Sequence, residues 1–575
     1  MAGELTPEYL TIGKLLDKRL FRIREYQRMY SWQTKQRKDL FSDITKLADA
    51  NGDRNHFLST IVCRQSPEPE IIGFDQYWVY DVVDGQQRLT TLIILLRSIA
   101  KKLASLTMQG SLEASDELVK MLVKENNTKL LLSTNHDNNA LFGEYIENAR
   151  VRPITELQTD GDKNLVDAFS DCERFVDEWH ETRDIRELVR LVKNKIGVVF
   201  YAVTDESVVY TVFEVLNSRG LVVDWLDKCK SMLMGVSFER YPRDSTTAKE
   251  KHDELKSIWT DIYRTISQTN VKGHEVVRFA ATLIYPDDLR KPFSSERAYS
   301  FLEEVANDRN DGEVYVSSVL RDIAKSLRKL DENPRLKAVT SIAHCRLLAA
   351  AIELTDYIQD ADKPELLDEW ERVSFKIFGL SRKDARTKVG EYTSLATRLY
   401  SGGIQRKQDV QDGLEEISKT IDIKKTIEEF KRSRNCYEGW EEELRYLFYR
   451  YEEYLWSLEG KAPSTDTWEK MWRVTPSTTI EHIFPQDPSD EWSGKMGRGR
   501  DTVKNNVHRL GNLVLLPPGL NSEAGRKAFT DKKKIYRSNY LKMHDEILSQ
   551  DDWTRETIDK RDAAMWEWIM NTWGD

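Results

Sequence analysis

Near its C-terminus the chain reads Thr479-Ile480-Glu481-His482-Ile483-Phe484-Pro485-Gln486, and the fold predicted for this region follows from that stretch. A second stretch reads His508-Arg509-Leu510-Gly511-Asn512-Leu513-Val514-Leu515-Leu516 and predicts a β-strand over its last four residues, which Pro517-Pro518 ends. A helix is predicted to begin near Glu523. The pattern predicts a small unit that brings an acid-histidine pair together with two later asparagines.

The residue types in this unit suit metal-assisted hydrolysis of a phosphodiester. Glu481 and Asn521 can each supply a hard oxygen ligand to Mg²⁺ or Mn²⁺. His482 then needs no metal role and can deprotonate a water molecule, while Asn512 would hold the loop and the His482 ring in register. An isolated Glu-His pair is more often a pair of surface residues. The hydrolytic interpretation therefore depends on Pro485, the Gly-Asn-Leu turn and Asn521 all following in order.

The order Glu481-His482, Asn512, Asn521 resembles the His-Asn-His (HNH) nucleases, which have a ββα-metal core. The resemblance implies that His482 activates water, that Asn512 orients the loop, and that Asn521 binds the metal ion together with Glu481. Two positions depart from the usual pattern, because Glu481 stands where Asp is more common and Asn521 stands where a third His is common. Neither change removes an oxygen ligand.

Composition limits the class of protein. The 575 residues exceed what one hydrophobic core holds, which predicts two to four domains. Hydrophobic residues make up 40% and charged residues 32%, as in a soluble and mostly helical protein. No apolar run approaches the ~20 residues that span a bilayer, and the N-terminus lacks a secretory signature. The five cysteines are scattered without a Cys-x-x-Cys pair, which favours reduced thiols in a cytoplasmic protein.

Positive charge is concentrated in two stretches although the net charge is -10. Residues 14–38 contain nine Lys and Arg against two acids, and residues 493–546 contain twelve against five. Either stretch alone could equally be a solvated face, but both coincide with motif-bearing regions. Local positive potential is what phosphate binding needs. The residues predicted to contact double-stranded DNA are Tyr30, Arg498, Arg500, Lys532 and Lys533, although the lysines could equally form an ordinary basic helix end.

The N-terminal region predicts a strand, a tight turn and a helix. Strands are expected over Phe57 to Val62 and Tyr77 to Val83, and an amphipathic helix over Leu89 to Leu106. The turn between the second strand and the helix reads Asp84-Gly85-Gln86-Gln87-Arg88. A strand, a glycine turn and a helix N-terminus carrying an Arg form a cradle suited to phosphate. The alternative is a simple capping turn with an exposed Arg.

Three blocks in this order resemble the N-terminal domain of the GmrSD family of type IV, modification-dependent restriction enzymes, to which the phosphorothioate-sensing Ssp effector is related. The blocks are Tyr26-Gln27-Arg28-x-Tyr30-x-Trp32, then Asp84-Gly85-Gln86-Gln87-Arg88, then Val212 to Gly220 with Leu226-Asp227 and Lys230. The resemblance implies a ParB/sulfiredoxin-like fold whose turn supports nucleotide binding and hydrolysis. It also implies that the third block closes the nucleotide site.

The same resemblance implies particular roles at a nucleoside triphosphate site. Arg88 would neutralise phosphate charge, and Asp84 and Gln87 would position magnesium or water. The other residues expected to bind the nucleotide are Tyr26, Gln27, Arg28, Gly85, Gln86, Glu214, Asn217 and Arg219. GTP, UTP, CTP and ATP are not distinguished by this pattern.

The sequence therefore predicts a predominantly helical, multidomain α+β protein. Residues 1–235 would form the ParB/sulfiredoxin-like domain that binds NTP and senses DNA, 236–459 an α-helical spacer, and 460–575 the HNH nuclease domain. The expected function is an NTP-regulated, metal-dependent endonuclease or nickase that acts on modified phage DNA in bacterial defence. The alternatives are a DNA-activated NTPase and a nucleic-acid-binding regulator with an inert nuclease site. The spacer would carry a conformational signal or a homodimer contact.

Overall fold

The computed structural model describes residues 7–49, 55–124, 129–134, 136–153, 156–157, 159–204, 224–241, 246–269, 271–337, 342–464, 468, 471–472, 474–497, 500–517, 519–538 and 540–574. These residues form a mostly helical α+β protein with one larger mixed sheet, as the sequence predicted. The chain divides into two compact units, Met1–Ala281 with Phe293–Arg328 and Thr282–Pro292 with Lys329–Asp575. The three-domain division stays a prediction. The predicted block from Val212 to Gly220 lies outside the described residues.

A mixed sheet forms the framework of the first unit. Its strands are β1 Glu8–Thr11, β2 Arg19–Arg22, β3 His56–Gln65, β4 Glu70–Ile72, β5 Asp75–Asp84, β8 Leu132–Ser133 and β9 Ile196–Val203, while β6 Val123–Lys124 and β7 Lys129–Leu130 form a separate pair. The strand order is β1-β9-β3-β5-β2-β8, and β4 pairs with β5 beside this path. Neighbours are parallel in the β3–β9, β2–β5 and β2–β8 pairs and antiparallel in the β1–β9, β3–β5 and β4–β5 pairs.

Helices cover this sheet and bury its apolar side chains. The helix predicted over Leu89 to Leu106 forms as Gln86–Ala104, but it is buried on nearly every side because neighbouring helices pack around it. Its polar residues are therefore paired internally, as where Arg97 Nε donates to the Ile146 carbonyl at 2.6 Å. The helices of this region are Ile12–Leu15, Thr34–Asp49, Gln86–Ala104, Ser111–Leu122, His136–Asn148, Asp160–Thr182 and Ile185–Asn194.

Helix follows helix through the middle of the chain, as predicted. Trp440, Tyr446 and Tyr451 are buried and belong to the core of this region. The helices are Trp225–Arg240, Thr246–Ser267, Gly273–Ile284, Ser295–Asp308, Gly312–Glu332, Pro334–Lys337, Ala343–Leu354, Lys363–Ser374, Val389–Tyr400, Lys407–Ser418, Ile423–Ser433 and Glu441–Ser457, with a π-helical turn at Phe375–Leu380. Among the described helices, none has the length and apolar composition that crossing a bilayer requires.

The end of the second unit contains a short antiparallel strand pair surrounded by helices. Strand β10, Ile480–His482, pairs with β11, Leu513–Leu515, so that Glu481 lies opposite Val514 and His482 opposite Leu513. The helices here are Arg500–Val507, Leu520–Ala524, Phe529–Ser538, Asp545–Leu548 and Arg555–Trp573. The predicted acid-histidine pair therefore lies on a buried strand at the centre of this region.

Candidate functional site

Backbone hydrogen bonds extend the β10–β11 pair beyond its three residues at both ends. The Ile483 N–H donates to the Asn512 carbonyl at 3.0 Å, and the Leu516 N–H donates to the Thr479 carbonyl at 2.8 Å. The first of these bonds lies directly after His482. It brings the turn before β11 alongside the loop that follows the predicted catalytic histidine.

The side chain of Asn512 joins this turn to that loop. Its Oδ1 accepts from the Phe484 N–H at 2.8 Å and from Trp553 Nε1 at 3.0 Å. Its Nδ2 donates to the carbonyls of Phe484 at 3.0 Å and Val507 at 2.8 Å. Asn512 is fully buried, so these bonds do not compete with water. The geometry is that of a clamp on the loop, the position that the sequence predicted for this residue.

The last helix, Arg555–Trp573, contacts the turn that contains Gly511 and Asn512 and so supports the clamp. Asp562 accepts from the Gly511 N–H at 2.5 Å and from Arg509 NH2 at 2.6 Å. The approach is close, because a Cβ at Gly511 would lie 2.5 Å from the Ile558 carbonyl oxygen. Glycine is therefore required before Asn512 for steric reasons.

His482 lies among three polar or aromatic partners. Its Nε2 is 3.1 Å from Nδ1 of His508, and Gln486 Nε2 is 3.1 Å from its Nδ1. The ring of Tyr437 meets the His482 ring edge-on at 4.6 Å and stacks in parallel with His508 at 5.5 Å. Because the Gln486 amide nitrogen donates to Nδ1, the His482 hydrogen is assigned to Nε2, which donates to His508.

Burial sets the charge state of His482. The residue is 6% exposed, and burial, followed by the neighbouring His508 and Lys532, lowers the pKa of His482 to about 3. Burial also lowers the pKa of His508, which Glu438 opposes. His482 is therefore neutral near pH 7 and has a lone pair with which to accept a proton.

An open cleft of about 1080 Å³ lies beside the histidine pair. His508 and Gln486, the two hydrogen-bond partners of His482, both line it, and so does Lys504. His482 itself lies behind these two residues. A water or phosphate that enters the cleft is thus separated from the imidazole by one layer of side chains. The lining is Phe484, Gln486, Asp487, Pro488, Ser489, Asp490, Trp492, Ser493, Gly494, Met496, Gly497, Val503, Lys504, Val507 and His508.

Glu481 is engaged in a buried ion pair. Its Oε1 lies 2.6 Å from Lys532 Nζ and accepts a longer hydrogen bond from the Tyr536 hydroxyl at 3.4 Å. Burial raises the pKa of Glu481, and the positive charge of Lys532 opposes that rise. Burial lowers the pKa of Lys532, and the negative charge of Glu481 opposes that fall. The prediction that Lys532 contacts DNA is wrong for this structure, because its side chain has no exposed surface.

Asn521 is anchored to the same strand. Its Nδ2 donates to the Ile480 carbonyl at 2.9 Å and to the Ser477 carbonyl at 3.3 Å. Carboxylate and amide oxygens suit Mg²⁺ or Mn²⁺, so Glu481 and Asn521 fit such an ion by donor type. Among the residues that the structure describes, no group of three or more His, Cys, Asp or Glu is arranged to hold a metal ion.

The other predicted DNA contacts are placed differently from one another. Lys533 is half-buried and donates to the Gln550 carbonyl at 2.6 Å. Tyr30 is buried and its hydroxyl bonds to Thr91 Oγ1 at 2.8 Å, so the prediction that it faces DNA is wrong. Arg498 lies outside the described residues, and so does the side chain of Arg500 on helix Arg500–Val507.

The predicted nucleotide turn forms as expected between β5 and helix Gln86–Ala104. Gly85 has φ +92°, and a Cβ there would lie 2.9 Å from Ile61 Cγ1, so the turn requires glycine. The turn places Asp84 at the strand end and Arg88 in the first helical turn. Burial raises the pKa of Asp84, which Arg88 opposes.

The two glutamines of the turn have a structural role. Gln87 accepts from the Ser31 N–H at 2.8 Å and donates to the Met29 carbonyl at 3.0 Å. Gln86 Nε2 donates to the Arg28 carbonyl at 3.2 Å. The side-chain amide of Gln87 is thus hydrogen-bonded to two backbone groups. This corrects the expectation that it positions magnesium or water.

Charged groups converge behind this turn. Arg28 lies 3.3 Å from Asp227, and Lys230 Nζ donates to Gln27 Oε1 at 2.9 Å. Lys230 also lies over the rings of Tyr26 at 5.6 Å and Tyr263 at 5.5 Å. Burial lowers the pKa of Lys230 to about 8, which Asp227 opposes. Together with Arg88, these cations lie among the carboxylates of Asp84, Asp224 and Asp227, so the cluster carries charges of both signs.

Several neighbours of these sites were not assigned roles from the sequence. Tyr437 belongs to the predicted spacer and contacts His482, from which it is distant in sequence. No local sequence pattern predicts such a contact. Tyr263, whose hydroxyl donates to Asp227 at 2.5 Å, is equally remote. His508 and Gln486 were visible in the motif stretches, but spacing alone did not connect them to His482. Glu214, Asn217 and Arg219 lie outside the described residues.

Comparison with family models gives two matches in this chain. The model described as the GmrSD restriction endonuclease, N-terminal domain, matches residues 12–234. The model described as the GmrSD restriction endonucleases, C-terminal domain, matches residues 422–568. The first match contains β2 to β9 and the Asp84–Arg88 turn, and the second contains Tyr437 and the β10–β11 pair. No curated protein matches the sequence.

Asn512→Ala should destabilise the second unit by about 3 kcal/mol, because it leaves the buried Phe484 N–H, Val507 carbonyl and Trp553 Nε1 without a partner. Differential scanning calorimetry should show a lower transition temperature. Asn505→Ala, an exposed position nearby, is the matched control. A melting profile for Asn512→Ala that equals this control would contradict the clamp.

His482 should stay neutral from about pH 8 to about pH 5, since a lowered pKa means that protonation begins only in stronger acid. Nitrogen NMR of ¹⁵N-histidine protein, with His482→Asn to assign the signal, measures this directly. A titration midpoint near the ordinary histidine value would refute the buried, neutral imidazole.

Proposed function

The chain belongs to the GmrSD family of type IV restriction endonucleases, and from that premise we propose that the β10–β11 site cuts modified double-stranded phage DNA under control of a nucleoside triphosphate bound in the first unit. Restriction of phage DNA by an endonuclease is the function of the family. The assignment of the cutting site to His482 and its neighbours is our proposal.

The observation that carries this proposal is the placement of His482. A neutral imidazole is held by a buried clamp next to a cleft, within hydrogen-bond reach of a second histidine. The order of two short strands followed by helices supports an HNH-type ββα arrangement. The nuclease domain that we propose begins near residue 422 rather than 460, because the C-terminal match starts there and Tyr437 contacts His482.

In the proposed reaction, His482 is the general base. A water molecule in the cleft loses a proton to Nδ1 of His482 as its oxygen bonds to phosphorus, and the bond from phosphorus to the leaving oxygen breaks. Gln486, which lies between the cleft and Nδ1, must move away for this step, and His508 orients the ring by accepting from Nε2. The leaving oxygen takes a proton from solvent. This arrangement needs no further protein acid.

We propose that Glu481 and Asn521 hold a Mg²⁺ or Mn²⁺ ion at this site. When bound, the ion would stabilise negative charge on the scissile phosphate and the leaving oxygen. Asn521 is fixed to the Ile480 carbonyl, next to Glu481 in the strand, so both oxygen ligands are anchored to β10. Asn512 acts by positioning the loop rather than by touching DNA.

For the first unit we propose a ParB/sulfiredoxin-like domain that binds and hydrolyses a nucleoside triphosphate. The cations Arg28, Arg88 and Lys230 support a triphosphate site at the N-terminus of helix Gln86–Ala104. Tyr26 would stack on the base, and Asp84 would position magnesium or water. By family resemblance, the segment with Glu214, Asn217 and Arg219 would close the site. GTP, UTP, CTP and ATP all carry the group that these cations recognise.

A DNA-activated NTPase is the second candidate function. The cluster of Arg28, Lys230 and Asp227 favours it, because such a cluster would bind phosphate independently of the β10–β11 site. Cleavage and nucleotide turnover must therefore be measured on the same preparations. Plasmid DNA with and without modification, tested with Mg²⁺ or Mn²⁺ and with and without NTP, distinguishes nuclease, NTPase and inert binder.

His482→Ala should reduce DNA cleavage by about 10²- to 10⁴-fold, because the water loses its base, while NTP hydrolysis continues at the wild-type rate. Cleavage is measured on modified plasmid under single-turnover conditions. His508→Ala should give a smaller loss, since it removes only the group that orients the His482 ring. Undiminished cutting by His482→Ala would show that another residue is the base.

Arg88→Ala should slow NTP hydrolysis by about 10²-fold, because phosphate charge in the transition state is left unneutralised. Phosphate release measures the rate. Arg186→Ala, an exposed arginine whose partner is Asp184 on its own helix end, serves as the control and should hydrolyse NTP normally. Equal rates in the two variants would mean that the Asp84–Arg88 turn has another role.

A further inference from the structure

Lys532 is the positive charge that the structure places directly on Glu481. Its Nζ lies 2.6 Å from Glu481 Oε1 and donates to the His482 carbonyl at 2.8 Å. The side chain of Lys532 has no exposed surface, and that of Glu481 is 3% exposed. One ammonium thus holds both the carboxylate and the backbone of the catalytic pair.

The neighbouring lysines have different surroundings, so this contact is specific to Lys532. Lys533 donates to the Gln550 carbonyl, and Lys534 is exposed and pairs with Asp531 on the same helix. The helix turns by about 100° per residue, which directs three consecutive side chains to three different sides. Only one of the three faces β10. The triple lysine is therefore not a uniform basic surface.

A buried carboxylate needs a compensating charge, and here an ammonium supplies it. A divalent ion bound to the same carboxylate would lie within a few ångströms of that ammonium and be repelled by it. The interior screens such repulsion far less than water does. Glu481 can therefore be paired with Lys532 or with a divalent ion, but simultaneous pairing is strongly disfavoured.

We propose that Lys532 occupies the cation position at Glu481 and that a divalent metal ion binds Glu481 only by displacing the Lys532 ammonium. This inference rests on the proposed nuclease function of the site. The displaced ammonium can move towards the cleft, because its Nζ already lies 5.9 Å from the ring centroid of Trp492, which lines the cleft. DNA phosphates in that cleft would favour the displacement by attracting the ammonium.

The test is Mn²⁺ binding by the full chain, measured by electron paramagnetic resonance of the free ion, without DNA or nucleotide. Lys532→Met keeps the length of the side chain and removes its charge, so it should bind Mn²⁺ about tenfold more tightly than wild type. Lys534→Met removes a charge from the same helix and should bind as wild type does. Adding Glu481→Gln to Lys532→Met should abolish the gain.

Two results would overturn the proposal: Lys532→Met that binds Mn²⁺ no more tightly than wild type, or a gain that survives Glu481→Gln. If Lys532→Met is unfolded without metal, Mn²⁺ should restore its melting transition, because the ion replaces the missing charge. Failure of Mn²⁺ to restore folding would likewise count against the proposal.

These results are distinguishable from failure of the proposed function. His482-dependent cleavage without the Mn²⁺ gain would overturn the Lys532 proposal alone. A Mn²⁺ gain in Lys532→Met, in a protein whose DNA cleavage does not depend on His482, would overturn the proposed function of the site instead.

Discussion

The side-chain amide of Asn512 is the interaction on which the C-terminal site depends. Its bonds to the Phe484 backbone fix the loop after His482, and its bonds to Val507 and Trp553 tie that loop to the surrounding helices. A pair of three-residue strands would be too short to hold a catalytic side chain by itself. The buried amide supplies the missing rigidity, and Gly511 allows the last helix to approach closely enough to support it.

Both candidate sites contain a buried carboxylate, and each compensates it by close pairing. Glu481 is balanced by Lys532, and Asp227 is balanced by Arg28 and bonded by Tyr263. Buried charges contribute little net stability, since desolvation offsets much of their attraction. An ion or phosphate that bound at either site, as we propose, would have to exchange with an internal partner. Such exchange is a physical means by which substrate or nucleotide binding would change each site.

The sequence predicted the strands and the turn well, because apolar runs bounded by glycine or proline carry that information locally. Tyr77 to Val83 and the glycine turn at Gly85 formed where expected. Which side chains face the interior was harder to predict. Tyr30 and Lys532 were predicted to contact DNA but are buried, because a residue type does not reveal which side of its helix or strand faces inward. Contacts such as Tyr437 with His482 depend on tertiary packing, which no local pattern encodes.

The central claim is that DNA is cut beside His482, and the position of bound DNA tests it most directly. A crystal structure of the full chain with a non-cleavable modified duplex measures the distance from the imidazole to the nearest phosphate. We expect a phosphate in the cleft lined by Gln486 and His508, with one water between it and Nδ1 of His482 at hydrogen-bond distances of about 3 Å. A duplex bound with no phosphate in that cleft, and with His482 still enclosed by Tyr437 and Gln486, would contradict the account.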